Sequence, residues 1–528
     1  MNNLFWVDQT AKEVAERFGG RTKKLRTEMG LGASGIPHVG SLGDGVRSYV
    51  VSIALKGLGE KSEFIAFSDD RDGLRKIPAG MPDSLEKDVG KPVSMIDDPF
   101  GCHKSYAYHI SSLLIRAFRM VDVKFRLKRA NEEYAKGTLD KEITEILSKW
   151  QQAGEIIKRV TGQDKYLTQL PFLPICKNCG RIYTTRAYKF VDGKILYKCD
   201  LEFVGKNSST GKEIVIKGCG IESEAGIRDG KLVWKVEFAA RWRALKINYE
   251  AYGKDILDSV RCNDAICKEI LNYEPPLHSF YEMFTERNGK KISKSAGNIF
   301  TPERWLRYAS PASLRLLFLK RLGTSRVVDP DAIPAYMDEV DELARVYSGK
   351  VKVGNEKELE HMKRLHEYVN FLKPKEPTAM VQYGMLTTLF RIAKNKKIIV
   401  DMLKRTGHMP KEVGKNDETE IKKRIKYAEN WVRDTIPEEK IEYALSESQK
   451  RSLVQLAAEL KSKTFTEEEL SSRLFEIAKE NNLQPREFFE AAYVVLLNNR
   501  LGPRLAQFII ALGQKKVAKM LDRLTAGS

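Results

Sequence analysis

Residues 24–57 read KLRTEMGLGASGIPHVGSLGDGVRSYVVSIALKG, and the fold turns on them. In the first eight, Leu25, Met29 and Leu31 alternate with polar side chains, as in a strand buried on one face. Leu42, Val46, Tyr49, Val50 and Ile53 then follow Val39 at helical spacing, which predicts a helix over 38–57. Between the two lies GASGIPHVG (32–40), with Gly32, Gly35, Gly40 and a single imidazole at His38. A turn of this kind, at the carboxyl end of a parallel strand, lets backbone approach a ligand and offers unpaired helix N–H groups to an anion. The glycine spacing is not that of a dinucleotide fingerprint, and no Gly-Lys-Ser/Thr follows, which excludes a P-loop.

Outward from this unit the α/β texture continues. SEFIAFS (62–68) and DVKFRL (122–127) read as further strands, with a helix over about 103–121 between them, so a parallel sheet with crossover helices is expected. A helical segment, 139–161, leads into 171–235, where short strands, turns and most of the grouped cysteines form an insert. KLVWKVEF (231–238) reads as a returning strand and AARWRALKI as its helix, and beyond about 300 the pattern is helical.

The 528 residues are too many for one ordinary core. A net charge of +19 with an ordinary apolar fraction argues against disorder and makes a polyanionic partner plausible. The N-terminus shows no basic leader with an apolar core, and no run of about 18 uncharged apolar residues occurs, so a soluble, cytoplasmic protein without membrane partner is expected. Seven cysteines, an odd number and partly grouped, favour metal binding or burial over a disulfide framework.

A second stretch, GKKISKSAGN (289–298), places Lys290, Lys291, Lys294, Ser293 and Ser295 in one glycine-bracketed loop. Such a loop can close over a triphosphate and neutralise charge as pyrophosphate leaves. Together, PHVGS (37–41) and KISKS (291–295) resemble the two signature motifs of class I aminoacyl-tRNA synthetases, the HIGH and KMSKS types. SDDRDGLRKIP (68–78), RANEEYAKG (129–137) and YGKDI (252–256) are similar to the archaeal type of class I lysyl-tRNA synthetase, and the similarity covers essentially the whole chain.

The resemblance implies a Rossmann-like (HUP-type) α/β parallel-sheet catalytic domain over 1–165 and 231–300, interrupted by a zinc-binding connective insert over 166–230. A stem-contact-like helical segment over 301–350 and an α-helical anticodon-binding domain over 351–528 would complete an all-α C-terminal region. It implies lysine, ATP with Mg2+, and tRNA(Lys) as partners of a monomeric enzyme that forms lysyl-adenylate and passes the lysyl group to the terminal ribose 2′-hydroxyl. His38 and Ser41 would bond the phosphates, Gly35 and Gly40 would admit them, and Lys291 and Lys294 would stabilise the transition state, with Ser293 and Ser295 in the same loop. Gly253 and Asp255 would meet the ATP ribose. Ser41 stands where the class motif has a second histidine, which exchanges an imidazole for a shorter hydroxyl donor.

Selecting lysine requires an acceptor for a buried ammonium. Glu28, Asp69 or Asp70, and Glu237 each fall near an expected carboxyl edge of the sheet, with Gly30 and Gly32 beside them; Trp242 and Tyr249 could pack on the butyl stem or belong to the core. For metal, Cys176, Cys179, Cys199 and Cys219 suit tetrahedral zinc, with Gly180 and Gly220 following two of them. Asp98, Cys102, His103 and His109 supply a second zinc ligand set, or else a polar helix start with a buried histidine, while Cys262 and Cys267 read as core. Basic clusters at 391–397, 404–405, 422–426 and 515–519 suit tRNA phosphates, or a solvated helix face. Two alternatives stay open: a glutamyl- or glutaminyl-type ligase, and a non-catalytic tRNA-binding protein.

Overall fold

A computed structural model describes residues 5–20, 23–282, 284–285, 300–374, 381–393, 396–405, 409, 414–436, 443–498, 500, 502 and 504–525. They group into two compact units, one of residues 1–304, 314–329 and 354–374, the other of 305–313, 330–353 and 375–528. Among the described residues no helix is long and apolar enough to cross a membrane.

The first unit is built on five parallel strands: β1 (Leu25–Leu31), β2 (Ser62–Ser68), β3 (Arg126–Arg129), β4 (Tyr249–Gly253) and β5 (Leu277–Tyr281). Their spatial order is β5-β4-β1-β2-β3, so the direction of winding reverses between β1 and β4. In open sheets of this type the crevice beyond the strand ends at that reversal is where ligands bind. The register pairs Leu25 with Ser62 through to Leu31 with Ser68, and Glu28 with Glu250. β1 is buried on both faces, not one: Thr27 and Glu28 are as inaccessible as Met29. This is the usual state of a central parallel strand covered by crossover helices.

The helix Val39–Gly57 returns over the sheet as expected, and its glycines are explained by how closely it packs. A Cβ on Gly45 would fall 2.3 Å from the Phe118 ring and 3.1 Å from Met29 Sδ. Glycine costs about 1 kcal/mol inside a helix relative to alanine; here the closer packing offsets it. The helix Tyr106–Met120, capped by the Ser105 hydroxyl, covers the same side.

Three expected elements differ. The strand read at 122–127 begins only at Arg126, after Val123 has turned into the core. The helical segment 139–161 is two helices, Asp140–Ser148 and Trp150–Thr161. KLVWKVEF is a strand only over Gly230–Leu232; a helix, Trp234–Leu245, starts where the second half of that strand was expected. The side chain of Asn263 holds this helix through a donor to Trp234 O (2.8 Å) and an acceptor for Ala239 N (2.8 Å). Strands β4 and β5 were not anticipated.

The insert is tied to the α/β unit by an antiparallel pair, Phe172–Pro174 with Gly230–Leu232. It carries a three-stranded sheet, 186–191, 194–198 and 222–226, whose first hairpin turns at Asp192-Gly193, both at positive φ. A second small sheet joins Glu202–Asn207 and Glu213–Lys217 to Lys76–Ile77, which comes from the chain after β2.

The second unit is helical in its described residues. Helices Glu447–Ser462, Glu467–Glu480 and Pro485–Leu497 each start at a capping box, which satisfies N–H groups that a helix start leaves unpaired. Within this unit Arg424 pairs with the nearly buried Asp341, and Trp431 Nε1 donates to Pro330 O at 2.8 Å.

Candidate functional site

A cavity of about 390 Å3 opens beyond the carboxyl ends of β1 and β4, at the winding reversal. Its walls come from the turn after β1, the end of β4, and the helix Trp234–Leu245. On one side stands His38, the N-cap of the helix Val39–Gly57. Its Nδ1 accepts the Ser41 backbone N–H at 3.3 Å, which leaves the proton of a neutral imidazole on Nε2. A Cβ on Gly40 would lie 2.7 Å from the imidazole Cε1, so this glycine is what allows the ring its position over the helix start. Ser41, Gly30, Gly32, Gly253 and Asp255 also line the cavity. Gly35 is buried within the turn and is not part of the wall.

A second part of the wall is built on a buried arginine. Arg241 is at the centre of three carboxylates: Nε lies 2.9 Å from Glu28 Oε1, Nη1 3.4 Å from Asp69 Oδ1, and Nη2 3.3 Å from Glu250 Oε1. The rings of Phe67 and Phe238, 4.7 and 4.8 Å from its Cζ, hold the guanidinium flat. Trp242 Nε1 donates to Glu250 Oε2 at 2.6 Å, so both carboxylate oxygens are fixed. Asp69 and Glu250 face the cavity, whereas Glu28 lies behind Arg241. Gly30 keeps this part of the wall open: a Cβ there would cover Asp69 Oδ2 at 3.5 Å and Arg241 Nη2 at 3.8 Å.

Burial dominates the electrostatics. It pushes the Asp69 carboxyl up to about 7 and raises Glu28 well above the carboxylate range, against the attraction of Arg241. Arg241 is also buried, but Glu28, Glu250 and Asp69 outweigh that loss of solvent and hold its proton more tightly than usual. One guanidinium is thus shared among three carboxyl groups.

The other expected residues lie elsewhere. Glu237 is on a helix, not at a strand end, and is away from the cavity wall; its Oε2 pairs with Lys231 at 2.8 Å and its Oε1 accepts from Tyr134 OH at 2.9 Å. Trp242 is fully buried and reaches the cavity only through Glu250. Asp70 accepts the Asn131 backbone N–H at 2.7 Å and serves the loop. Lys291, Ser293, Lys294 and Ser295 lie outside the described residues. Glu250 and Arg241 were not anticipated. A buried arginine within AARWRALKI carries no local signal, and Glu250 becomes significant only once β4 is paired with β1.

Two ligand clusters stand apart from the cavity. Cys176, Cys179, Cys199 and Cys219 bring four sulfurs within 4.8 Å of one another. The Cys176–Cys219 and Cys179–Cys199 separations are 3.5 and 3.7 Å. A tetrahedron with Zn–S bonds of about 2.3 Å has edges of about 3.8 Å. The positive φ of Gly180 and Gly220 forms the turns after Cys179 and Cys219, and Cys219 N points at Cys199 Sγ from 3.4 Å. In the second cluster Cys102 Sγ lies 3.2 Å from Asp98 Oδ2, 3.1 Å from His103 Nδ1 and 3.3 Å from His109 Nδ1. Adjacent Cys102 and His103 thus do reach one point. Cys262 and Cys267 are core.

Comparison with known proteins follows the same lines. The family described as tRNA synthetases class I (K) matches residues 4–371. A lysine–tRNA ligase of Cenarchaeum symbiosum (strain A) is 42% identical over 527 residues, which cover 98% of each chain. Another, from Natronomonas pharaonis, is 30% identical over 546 residues, covering 98% of this chain and 97% of the relative. A third, from Rickettsia bellii (strain OSU 85-389), is 28% identical over 531 residues, with 98% and 97% covered.

Proposed function

The chain belongs to the class I tRNA synthetases (K), and from that membership we propose that it is a lysine–tRNA ligase using ATP, lysine and tRNA(Lys). The observation that carries this reading is what one cavity wall brings together: Asp69 and Glu250, carboxyl groups sharing a buried arginine, and a helix start with its N-cap imidazole. The ε-ammonium of lysine supplies the positive charge that Asp69 and Glu250 lack, and a buried ammonium is stable only where such partners exist. A glutamate side chain would add a fourth acid to that cluster, which disfavours the glutamyl alternative.

The triphosphate belongs at the helix start, where helix N–H groups and His38 Nε2–H donate to its oxygens. Gly40 keeps the imidazole in place, and Gly253 and Asp255, at the end of β4, face the ribose. In the first step a lysine carboxylate oxygen forms a bond to the α-phosphorus as the bond to pyrophosphate breaks. In the second, the ribose 2′-oxygen of tRNA bonds to the lysyl carbonyl carbon and AMP leaves. Neither step needs a covalent bond to the protein; positioning and charge stabilisation suffice. Lys291 and Lys294 take the leaving pyrophosphate by motif, with Ser293 and Ser295 beside them, and Mg2+ accompanies the ATP.

The four cysteines would hold a structural zinc that crosslinks an insert with little core, and Asp98, Cys102, His103 and His109 would hold a second. The basic helices beyond residue 390 would carry tRNA phosphates.

ATP-dependent charging of tRNA with labelled lysine, glutamate and glutamine tests the function. Lysine alone should be incorporated. Charging with glutamate or glutamine, or tRNA binding with no charging at all, would replace this reading with one of its two rivals.

A further inference from the structure

Arg47, in the helix Val39–Gly57, is a buried cation that the chemistry above does not use, and 1% of it is exposed. Its guanidinium is held among aromatic rings: Cζ lies 3.8 Å from the centre of the Tyr281 ring, 5.7 Å from that of Phe284 and 5.8 Å from that of Phe318. A Cβ on Gly43 would meet Arg47 Nη1 and the Phe318 ring at 2.9 Å each, so the slot is shaped to the guanidinium. Nε and Nη1 have no hydrogen-bond partner, and Arg47 forms no ion pair among the described residues. Asp44, one turn earlier, attracts it from longer range, and Arg326 repels it.

A buried guanidinium without close polar partners is costly, and ring faces return only part of its lost hydration. Methionine, long and uncharged, would fill the same slot, so packing does not account for an arginine there. Its position does. Tyr281 and Phe284 line the first cavity, whereas Arg47 is not in the wall. Phe284 also lies 3.8 Å from where a Cβ on Gly40 would be, which sets it beside the helix start and the His38 ring. The Tyr281 ring thus stands against the guanidinium and contributes to the wall as well, in surroundings with little water to screen the charge.

We propose that Arg47 is a positioning residue for the triphosphate. It sets Tyr281 and Phe284 against the helix start, and its charge, acting across the Tyr281 ring, draws an anion to His38 and the helix N–H groups. The same charge opposes the repulsion that Asp44, in the cavity wall, exerts on that anion. The proposal rests on the reading of this helix start as the ATP site of a ligase, and it makes Arg47 a residue retained for function against stability.

The test uses the full-length protein with ATP, inorganic tripolyphosphate and lysine, each added singly in the presence of tRNA(Lys) and followed by calorimetry, with urea unfolding of the same samples. Arg47→Met should weaken ATP and tripolyphosphate about tenfold, leave lysine within about twofold, and put the unfolding midpoint no lower than that of wild type. Arg47→Lys, which restores charge without the planar stack, should recover part of the lost ATP affinity. A purely structural arginine gives the reverse: a lower midpoint, or a protein that does not fold, with affinities per folded molecule unchanged. That result overturns the proposal. So do equal weakening of lysine and ATP, Arg47→Lys behaving no better than Arg47→Met, and a wild type that binds neither anion. Charging of tRNA with labelled lysine by the wild type is scored apart. The expected loss of tripolyphosphate binding in a protein that charges no lysine refutes the ligase reading alone, whereas lysine charging with ATP affinity unmoved by Arg47→Met refutes the role of Arg47 alone.

Discussion

Arg241 Nε lies 2.9 Å from Glu28 Oε1, and at most 1% of either side chain is exposed. Arg241 is in the cavity wall with Glu28 behind it, and the pair fixes the guanidinium that Asp69 and Glu250 also share. Buried ion pairs add little net stability, but removing one partner leaves the other charge without compensation. Here one cation serves three acids, so its removal leaves all three without their shared partner.

Arg241→Met should therefore destabilise the protein by about 3–5 kcal/mol, read from urea unfolding. Adding Glu28→Gln should recover part of that loss, because a neutral amide tolerates burial better than an orphaned carboxylate. Additive effects of the two substitutions would show that the pair is not coupled.

Asp69 gives a pH signature. Burial lifts its carboxyl to about 7, so the folded protein holds this proton more tightly than the unfolded chain, where the group titrates near about 4. The stability that this proton contributes is complete below about pH 4 and is lost as pH rises through about 7. Asp69→Asn should flatten the fall in stability over that window. Ammonium binding needs the ionised form, so the lysine KM in pyrophosphate exchange should fall as pH rises through about 7 in the wild type. In the variant it should be about tenfold higher, with that dependence gone. An identical pH profile in the two proteins would remove Asp69 from the site.

Gly40 and Gly45 separate function from packing within one helix. A Cβ on Gly40 meets the His38 imidazole at 2.7 Å, whereas one on Gly45 meets the Phe118 ring at 2.3 Å. Gly40→Ala should cut kcat at least about tenfold with little change in Tm, since the displaced ring would lose the contact to the reacting phosphates that we propose for it. Gly45→Ala should cost about 1–3 kcal/mol of stability through overpacking, and leave kcat per folded molecule close to wild type.

The turn at 32–40 was readable because its signals are local: glycines, a change of hydrophobic period, and one imidazole at a helix start. The carboxylate cluster was not. Glu250 lies on a five-residue strand whose register with Glu28 joins segments more than 200 positions apart. KLVWKVEF misled for a related reason. It reads as one strand with Glu237 at its end, yet Lys231 and Glu237 pair with each other in the interior, and the chain between them turns into a helix held by Asn263. Polar residues that satisfy one another inside a protein mimic exposed ones in sequence.

The metal clusters are decided by stoichiometry. Four thiols at zinc-like spacing without an ion would be open to oxidation, and the insert would lose a crosslink that its short sheets do not supply. Elemental analysis of purified protein should give about two equivalents of zinc per chain, falling to about one in Cys176→Ser/Cys219→Ser and to about one in Cys102→Ser/His109→Ala. The two losses should differ in consequence. The first should sensitise the insert around 176–219 to proteolysis, because its sulfurs come from three separate turns. The second should act locally, between the loop at Asp98 and the start of the helix Tyr106–Met120. Protein with no bound metal, and with all four insert thiols titrating rapidly in the native state, would refute the zinc assignment while leaving the ligase chemistry untouched.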